Sequence, residues 1–386
     1  MLLVVVGAVG YRSLSPRSAP AAAPAPIRLP VAAAKANDPS TAELLNQYAA
    51  VGMARLASMY NAGSNRATRS WRGANALAVI TDYMRVSGSR AYLRDLSETY
   101  LAHIVDPHPF INRYYDDEGW WALTWIKAYG LTGDPQYLTL AESIFRDLTK
   151  GWTRACGGGL RWSKFAAYKD AISNELFLQI SAQLHTLVPH DKKYGRWARR
   201  EWKWFSSTGM ITNSGLVLDG IDPVTCQPIV DSTTWTYNQG ALIGGLVDLY
   251  SFTHQRSLLL TAKATADAVT RSPQLSPGGI LTEPACGPAP TCAHDAPTFK
   301  GIFMTNLKLL DTQLHVPAYE TYLLRNAVSM WVHDREGASF GLNWAGPFDS
   351  SDTGRQVAAL DLLITQVTGV GNPVPGLALP RHSAQP

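Results

Sequence analysis

Two adjacent carboxylates, Asp116 and Asp117, stand in the stretch Tyr114-Tyr115-Asp116-Asp117-Glu118-Gly119-Trp120-Trp121. An acetal is a poor electrophile. Breaking a glycosidic bond needs one carboxylic acid to protonate the leaving oxygen and one carboxylate to stabilise or attack the oxocarbenium-like carbon. Neighbouring aspartates carry both groups, and the aromatic rings around them suit sugar stacking. Successive side chains on a helix point about 100° apart, so the pair is expected at a loop-to-helix junction, with the helical run starting at Gly119. Capping is the simpler reading. Asp in a first turn satisfies free backbone N–H groups and complements the helix dipole, and the local sequence alone does not separate the two.

The elements that would position this pair are helices. Apolar residues recur at three and four positions from Thr41 onward, with Gly, Pro or Asp at the breaks. Twelve segments follow, at about 41–61, 70–86, 90–104, 118–131, 135–149, 170–187, 191–207, 236–253, 256–271, 298–313, 317–333 and 353–368. The joints Val86-Ser87-Gly88-Ser89 and Leu131-Thr132-Gly133-Asp134-Pro135 are alike and short, as in antiparallel helix hairpins. Repeated helix pairs without strand-rich intervals predict an all-α toroid of six pairs. If the even-numbered helices form the inner layer, the segments before them gather at one mouth: Trp71 to Asn75, Tyr115 to Trp121, Lys169 to Glu175, Trp235 to Gln239, Thr298 to Lys300 and Ser350 to Asp352. A polar, aromatic-lined cleft is expected there.

The chain has 386 residues, 46% of them hydrophobic, enough for a large core. Its net charge of +4 is small, and no Lys/Arg stripe is interleaved with aromatics, which argues against nucleic acid as a partner. Met1 to Tyr11 form a short apolar stretch, too short to span a bilayer. Ala/Pro-rich sequence follows from Ala19 to Ala34. Residues 1–37 are therefore expected to be a signal-like or anchoring segment with a linker, 38–372 the folded domain and 373–386 a tail; export to the cell envelope or beyond is expected. The cysteines Cys156, Cys226, Cys286 and Cys292 suit an oxidising compartment, with Cys286–Cys292 closing a short loop and Cys156–Cys226 as the second bridge. Zinc is the competing reading, but no Cys-x-x-Cys occurs. Neither a Gly-x-Ser-x-Gly elbow nor a His-Glu-x-x-His motif is present, and neither metal nor cofactor is expected.

Five motifs in order resemble the signatures of glycoside hydrolase family 76: Tyr115-Asp116-Asp117 with Trp120-Trp121, Cys156-Gly157-Gly158-Gly159-Leu160-Arg161-Trp162, Ala171-Ile172-Ser173-Asn174, Trp235-Thr236-Tyr237-Asn238-Gln239-Gly240 and Phe299-Lys300-Gly301-Ile302-Phe303. The resemblance covers roughly Ala42 to Gly369. It implies an (α/α)6 barrel and a retaining endo-α-1,6-mannanase, with Asp116 as nucleophile and Asp117 as general acid and base. Retention requires the two carboxyl groups to lie about 5–5.5 Å apart, which adjacent residues can meet. The substrate would be an α-1,6-mannan polysaccharide or glycolipid, and the enzyme a monomer. Two alternatives stand beside this: a transglycosylase that passes the covalent intermediate to another sugar, and a carbohydrate-binding protein whose Asp pair is structural.

Further candidates for substrate contact each have a structural counterpart. Asp219, followed by Gly220, supplies either another carboxylate or a turn. Asn174, Asn238 and Gln239 either bond sugar hydroxyls or link inner helices. Trp120 and Trp121 point in different directions on a helix, so one is expected as a sugar platform and the other in the wall. Trp71 and Asn75 belong to the mouth. Tyr115 and Tyr237 are expected to stack on sugar or donate a hydroxyl. Lys300 is expected to contact substrate or neutralise a carboxylate. Gly157-Gly158-Gly159 is expected to be a backbone turn, since no P-loop lysine follows.

Overall fold

The computed structural model describes residues 39–60, 70–286 and 295–367. Cys292 and the segments 1–37 and 373–386 lie outside the described residues. Twelve α-helices occur among them: α1 (Pro39–Met59), α2 (Trp71–Ser87), α3 (Leu93–Ile104), α4 (Tyr115–Thr132), α5 (Pro135–Leu148), α6 (Ala171–Leu187), α7 (Lys192–Phe205), α8 (Thr236–Thr253), α9 (Arg256–Thr270), α10 (Phe299–Leu314), α11 (Pro317–His333) and α12 (Thr353–Ile364). The even-numbered helices pack in sequence, α2 on α4, α4 on α6 and so on to α12, which returns to α2. That closes an (α/α)6 barrel, with the odd-numbered helices outside.

The inner ring forms because its helices are apolar or small on nearly every side, the pattern of a helix with no solvent face. In α8, Gly240 lies so close to α10 that a Cβ there would stand 2.6 Å from Phe303 Cα; a Cβ on Gly301 of α10 would stand 2.6 Å from Ala358 Cα of α12. These glycines permit backbone contact between inner helices. An outer helix such as α7 instead buries one stripe, including Tyr194, Ala198 and Trp204, and leaves a strongly basic face in solvent.

The short joints form as expected at the end away from the mouth. Gly88 and Gly133 end α2 and α4 with φ of 71° and 72°, the left-handed conformation that glycine adopts without a Cβ penalty. Asp134 then accepts from the Gln136 N–H at 3.0 Å and Pro135 opens α5. At the mouth, a short ribbon pairs β1 (Lys169–Asp170) with β2 (Gly220–Ile221), and a second pairs β3 (Arg335–Glu336) with β4 (Ser339–Phe340). The Cys156–Cys226 disulfide is present, Cα–Cα 5.2 Å, tying the triple-glycine loop to the loop after β2. That loop is a backbone turn: Gly159 has φ of 84°, and a Cβ there would collide with the Trp204 ring. Buried Lys169 donates to its carbonyls at Gly158 and Gly159. Among the described residues no helix is long and apolar enough to cross a membrane.

Candidate active site

The N-terminal ends of the inner helices share one mouth, and the Asp pair lies at its edge. Helix α4 starts at Tyr115, ahead of its expected start, so Asp116 and Asp117 are in its first turn rather than in a junction loop. Tyr114 is the N-cap residue and makes no side-chain cap bond. Asn112 organises the turn instead. Its Oδ1 accepts from the Tyr114 N–H at 2.8 Å, its own N–H donates to Glu118 Oε1 at 3.0 Å, and its Nδ2 donates to Asp117 Oδ2 at 2.7 Å. Asp116 Oδ2 accepts from the Trp162 indole N–H at 3.3 Å, while its buried Oδ1 has no hydrogen-bond partner. Trp162 is held in turn by its carbonyl, which accepts from the Tyr115 N–H at 2.9 Å. Beneath, Lys164 bridges Glu118 at 2.8 Å and Asp147 at 2.6 Å.

Both carboxyls keep their protons far above the ordinary aspartate range. Burial, then the neighbouring Asp117, pushes Asp116 up to about 7. Burial pushes Asp117 up to about 6, against the pull of the Asn112 amide. More acids crowd the same mouth. Asp170 stands at the N-cap of α6, where its Oδ2 accepts from Ser173 Oγ at 3.0 Å and its buried Oδ1 has no partner; burial and Asp116 hold its carboxyl well above the usual range. Asp219 accepts from the Tyr168 hydroxyl at 3.0 Å and from Asn238 Nδ2 at 3.1 Å, and burial raises it as well. Glu175 is fully buried with both oxygens unpartnered. Like charges this close in a poorly solvated site cannot all ionise, so the mouth is a store of protonated carboxyls near neutral pH.

Aromatic rings complete the mouth. Trp71 lies 6.3 Å from Trp120 and 6.0 Å from Phe299, and Tyr237 stacks on Phe299 at 4.0 Å. Trp120 and Asn75 line a cavity that descends into the barrel past Gln179 to Asp248 and Asp361. Trp71, Trp120, Tyr237, Asp219 and the Asp pair are thus drawn to one end of the barrel.

Burial argues against a sugar contact for Tyr115, Asn174, Asn238, Gln239 and Lys300, and it selects the wall reading for Trp121 of the Trp120–Trp121 pair. Trp121 is fully buried, with its ring 4.4 Å from Phe110 and 5.9 Å from Trp125, so it belongs to the wall. Tyr115 is 2% exposed and lies under Lys164 and against Gly151, packed in the wall. Asn174 is fully buried and bonds Leu160 N–H, Leu160 O and the Asp170 carbonyl. Gln239 is spent on Val217 N–H, Val217 O and the Trp235 carbonyl. Asn238, also fully buried, acts on Asp219 rather than on a sugar. Lys300 is 1% exposed, donates to the Leu281 and Leu342 carbonyls and lies 3.9 Å from the Trp344 ring centre, so it is out of reach of a sugar, while the carboxyls that its charge acts on are Asp334 and Glu283. Asn174, Gln239 and Lys300 thus satisfy backbone groups left unpaired in the loops around the mouth, whereas Asn238 bonds a side chain and the Trp121 indole N–H has no partner. The sequence reading missed Asn112, Trp162 and Asp170 as site residues. Trp162 lay within a quoted motif, and only the position of its neighbouring loop reveals its role. Among the described residues no group of three or more His, Cys, Asp or Glu side chains is arranged to hold a metal.

A toroid of six helix pairs with a carboxyl pair and aromatic rings at its mouth has the architecture and chemistry of a helical-barrel glycosidase. The chain belongs to glycosyl hydrolase family 76, whose description matches residues 34–373. It is 28% identical to the mannan endo-1,6-alpha-mannosidase DCW1 of Candida albicans over 311 residues, 70% of this chain and 68% of that protein. It is 27% identical to the DCW1 enzyme of Saccharomyces cerevisiae, over 76% of this chain and 71% of that one. Among solved structures, the GH76A alpha-1,6-mannanase of Salegentibacter superposes with a TM-score of 0.74 at 22% identity, over 83% of this chain and 98% of that one. An inactive variant of that enzyme, with two consecutive aspartates changed to asparagine, was solved with alpha-1,6-mannotriose.

Proposed function

We propose that this chain cleaves α-1,6-linked mannan internally, with retention of configuration, through Asp116 and Asp117. The observation that carries this reading is the pair of consecutive, proton-holding aspartates in the first turn of an inner helix, beside a half-exposed tryptophan. Asp117 donates its proton to the glycosidic oxygen as the bond to C1 breaks, and an Asp116 oxygen attacks C1 to form a glycosyl ester. Asp117, now a carboxylate, takes a proton from water, whose oxygen attacks C1 and releases Asp116. The reactive form has Asp116 ionised and Asp117 protonated. Burial raises both groups, Asp116 to about 7 and Asp117 to about 6, so near neutral pH the site can hold one proton between the two carboxyls. Trp71, Trp120 and Tyr237 would provide apolar ring faces for the sugars, and Asp219, fixed by Tyr168 and Asn238, a hydroxyl acceptor. The catalytic domain would span 38–372. The Cys156–Cys226 bridge supports action in an oxidising compartment outside the cytosol.

The names of the curated relatives and the mannotriose bound to the Salegentibacter variant support the α-1,6-mannan substrate. Digestion of α-1,6-, α-1,2- and α-1,3-linked mannans tests it. A ladder of short oligosaccharides from the α-1,6 polymer alone is the expected result. Release of mannose one unit at a time, or cleavage of another linkage only, overturns the assignment. Products longer than the starting oligosaccharide would show transfer to sugar in place of water.

A further inference from the structure

We infer that a ledge formed by Arg113 and Phe165 is a distal sugar subsite, taking a hexose of the same glycan chain beyond the residues at the Asp pair; this rests on the mannan-cleaving reading above. The ledge is continuous with the catalytic turn. Trp162 touches Asp116 through its indole N–H, is 37% exposed, and lies 4.9 Å from the Tyr114 ring. Three residues on, Phe165 is 76% exposed, an unusual position for a large apolar ring. The Arg113 guanidinium lies 5.0 Å from the centre of that ring and makes no ion pair among the described residues. Its N–H donors are therefore free for hydroxyls beside the ring.

The ledge is rigid although exposed. The Arg113 carbonyl accepts from the Lys164 N–H at 3.0 Å, and Ser163 Oγ accepts from the Phe165 and Ala166 N–H groups at 3.4 and 3.0 Å. Lys164, between the exposed Trp162 and Phe165, points inward to Glu118 and Asp147. A loop anchored by the two ion pairs of Lys164 and by the hydrogen bonds of Ser163 has no structural need for an apolar ring in water at the next position. An aromatic face with adjacent guanidinium donors is the arrangement that binds a pyranose, whose C–H face stacks while its rim hydroxyls accept hydrogen bonds. Three residues span at most about 10 Å, so the ring lies within reach of a glycan whose reacting sugar is at the Asp pair, while Trp162 and not Phe165 is the residue of this loop that bonds Asp116.

The test is calorimetric binding of unbranched α-1,6-mannooligosaccharides, from the trisaccharide to the hexasaccharide, to full-length Asp116→Asn protein with and without Phe165→Ala or Arg113→Ala. Cleavage by the corresponding single variants with Asp116 intact is followed in parallel. Each ledge change should weaken hexasaccharide binding by about three- to tenfold, the range of one aromatic contact, and leave the trisaccharide unchanged; Phe165→Tyr should restore it. In cleavage, KM for long substrates should rise with kcat unchanged. Equal loss at every length, or no loss at any, overturns the subsite. If the length-dependent loss in binding appears but the unmutated protein cleaves none of the series, the subsite stands and the catalytic reading falls.

Discussion

Replacing Trp162 by Phe removes one N–H donor from Asp116 Oδ2 while keeping a ring in the same place. A hydrogen bond to a charged group contributes about 1.5–3 kcal/mol when short and buried; at 3.3 Å on a half-exposed indole we take about 1 kcal/mol. The bond favours the carboxylate, so its loss raises the Asp116 pKa further above about 7, and about 1 kcal/mol corresponds to about a fivefold tighter hold on the proton at 1.36 kcal/mol per tenfold. The nucleophile must be ionised. The ratio of wild-type to variant kcat/KM should therefore be about fivefold near pH 6 and fall to about one near pH 9, where Asp116 is ionised in both. The assay is kcat/KM on a defined α-1,6-mannooligosaccharide across that range, which reports the free enzyme. A ratio constant with pH would refute the proposed role of the indole. A variant that gains activity at alkaline pH would show that Asp116 holds the acid's proton and that the two roles are reversed.

Two further predictions concern the barrel. Gly301→Ala places a Cβ 2.6 Å from Ala358 Cα and from Asp361 Oδ2, so α10 and α12 must part; a loss of about 1–3 kcal/mol is expected, read as a lower Tm in thermal unfolding, and an unchanged Tm would contradict the close approach. Burial pushes Asp361, which accepts from Thr305 Oγ1 at 3.2 Å, up to about 7, above its unfolded value. Its contribution to stability is fully present below the unfolded pKa and is lost as pH rises through about 7, so Asp361→Asn should raise Tm at pH 8 and leave it nearly unchanged at pH 4. An equal effect at both pH values would show that the carboxyl is not held protonated.

The helical periodicity exposed the architecture because each helix buries a stripe or its whole circumference, and the glycine joints Gly88 and Gly133 mark where pairs turn. The start of α4 was not legible. Asp116, Asp117 and Glu118 carry no apolar period, so the pattern becomes visible only at Gly119, although acidic residues are well suited to a first helical turn. The β1–β2 ribbon was equally hidden, since two-residue strands have no alternation to read. Within the mouth, residue type identified groups able to hydrogen-bond but not what they bond. Asn174, Gln239 and Lys300 have the chemistry of sugar-binding residues, yet the loops entering α6, α8 and α10 leave backbone groups unpaired, and these side chains satisfy them. Trp162 and Asn112 escaped notice for the converse reason. Their importance lies in contacts made across 46 residues and across a five-residue turn, and nothing in their spacing shows that both aim at the Asp pair.

The central claim is that Asp116 and Asp117 together break the glycosidic bond. The most direct measurement compares cleavage of unbranched α-1,6-mannan by the wild type, Asp116→Asn and Asp117→Asn, with oligosaccharide binding measured for each. The account predicts that both variants still bind while cleavage falls by about a thousandfold or more in each, the scale of losing an essential nucleophile or general acid. Cleavage at the wild-type rate by either variant would contradict it.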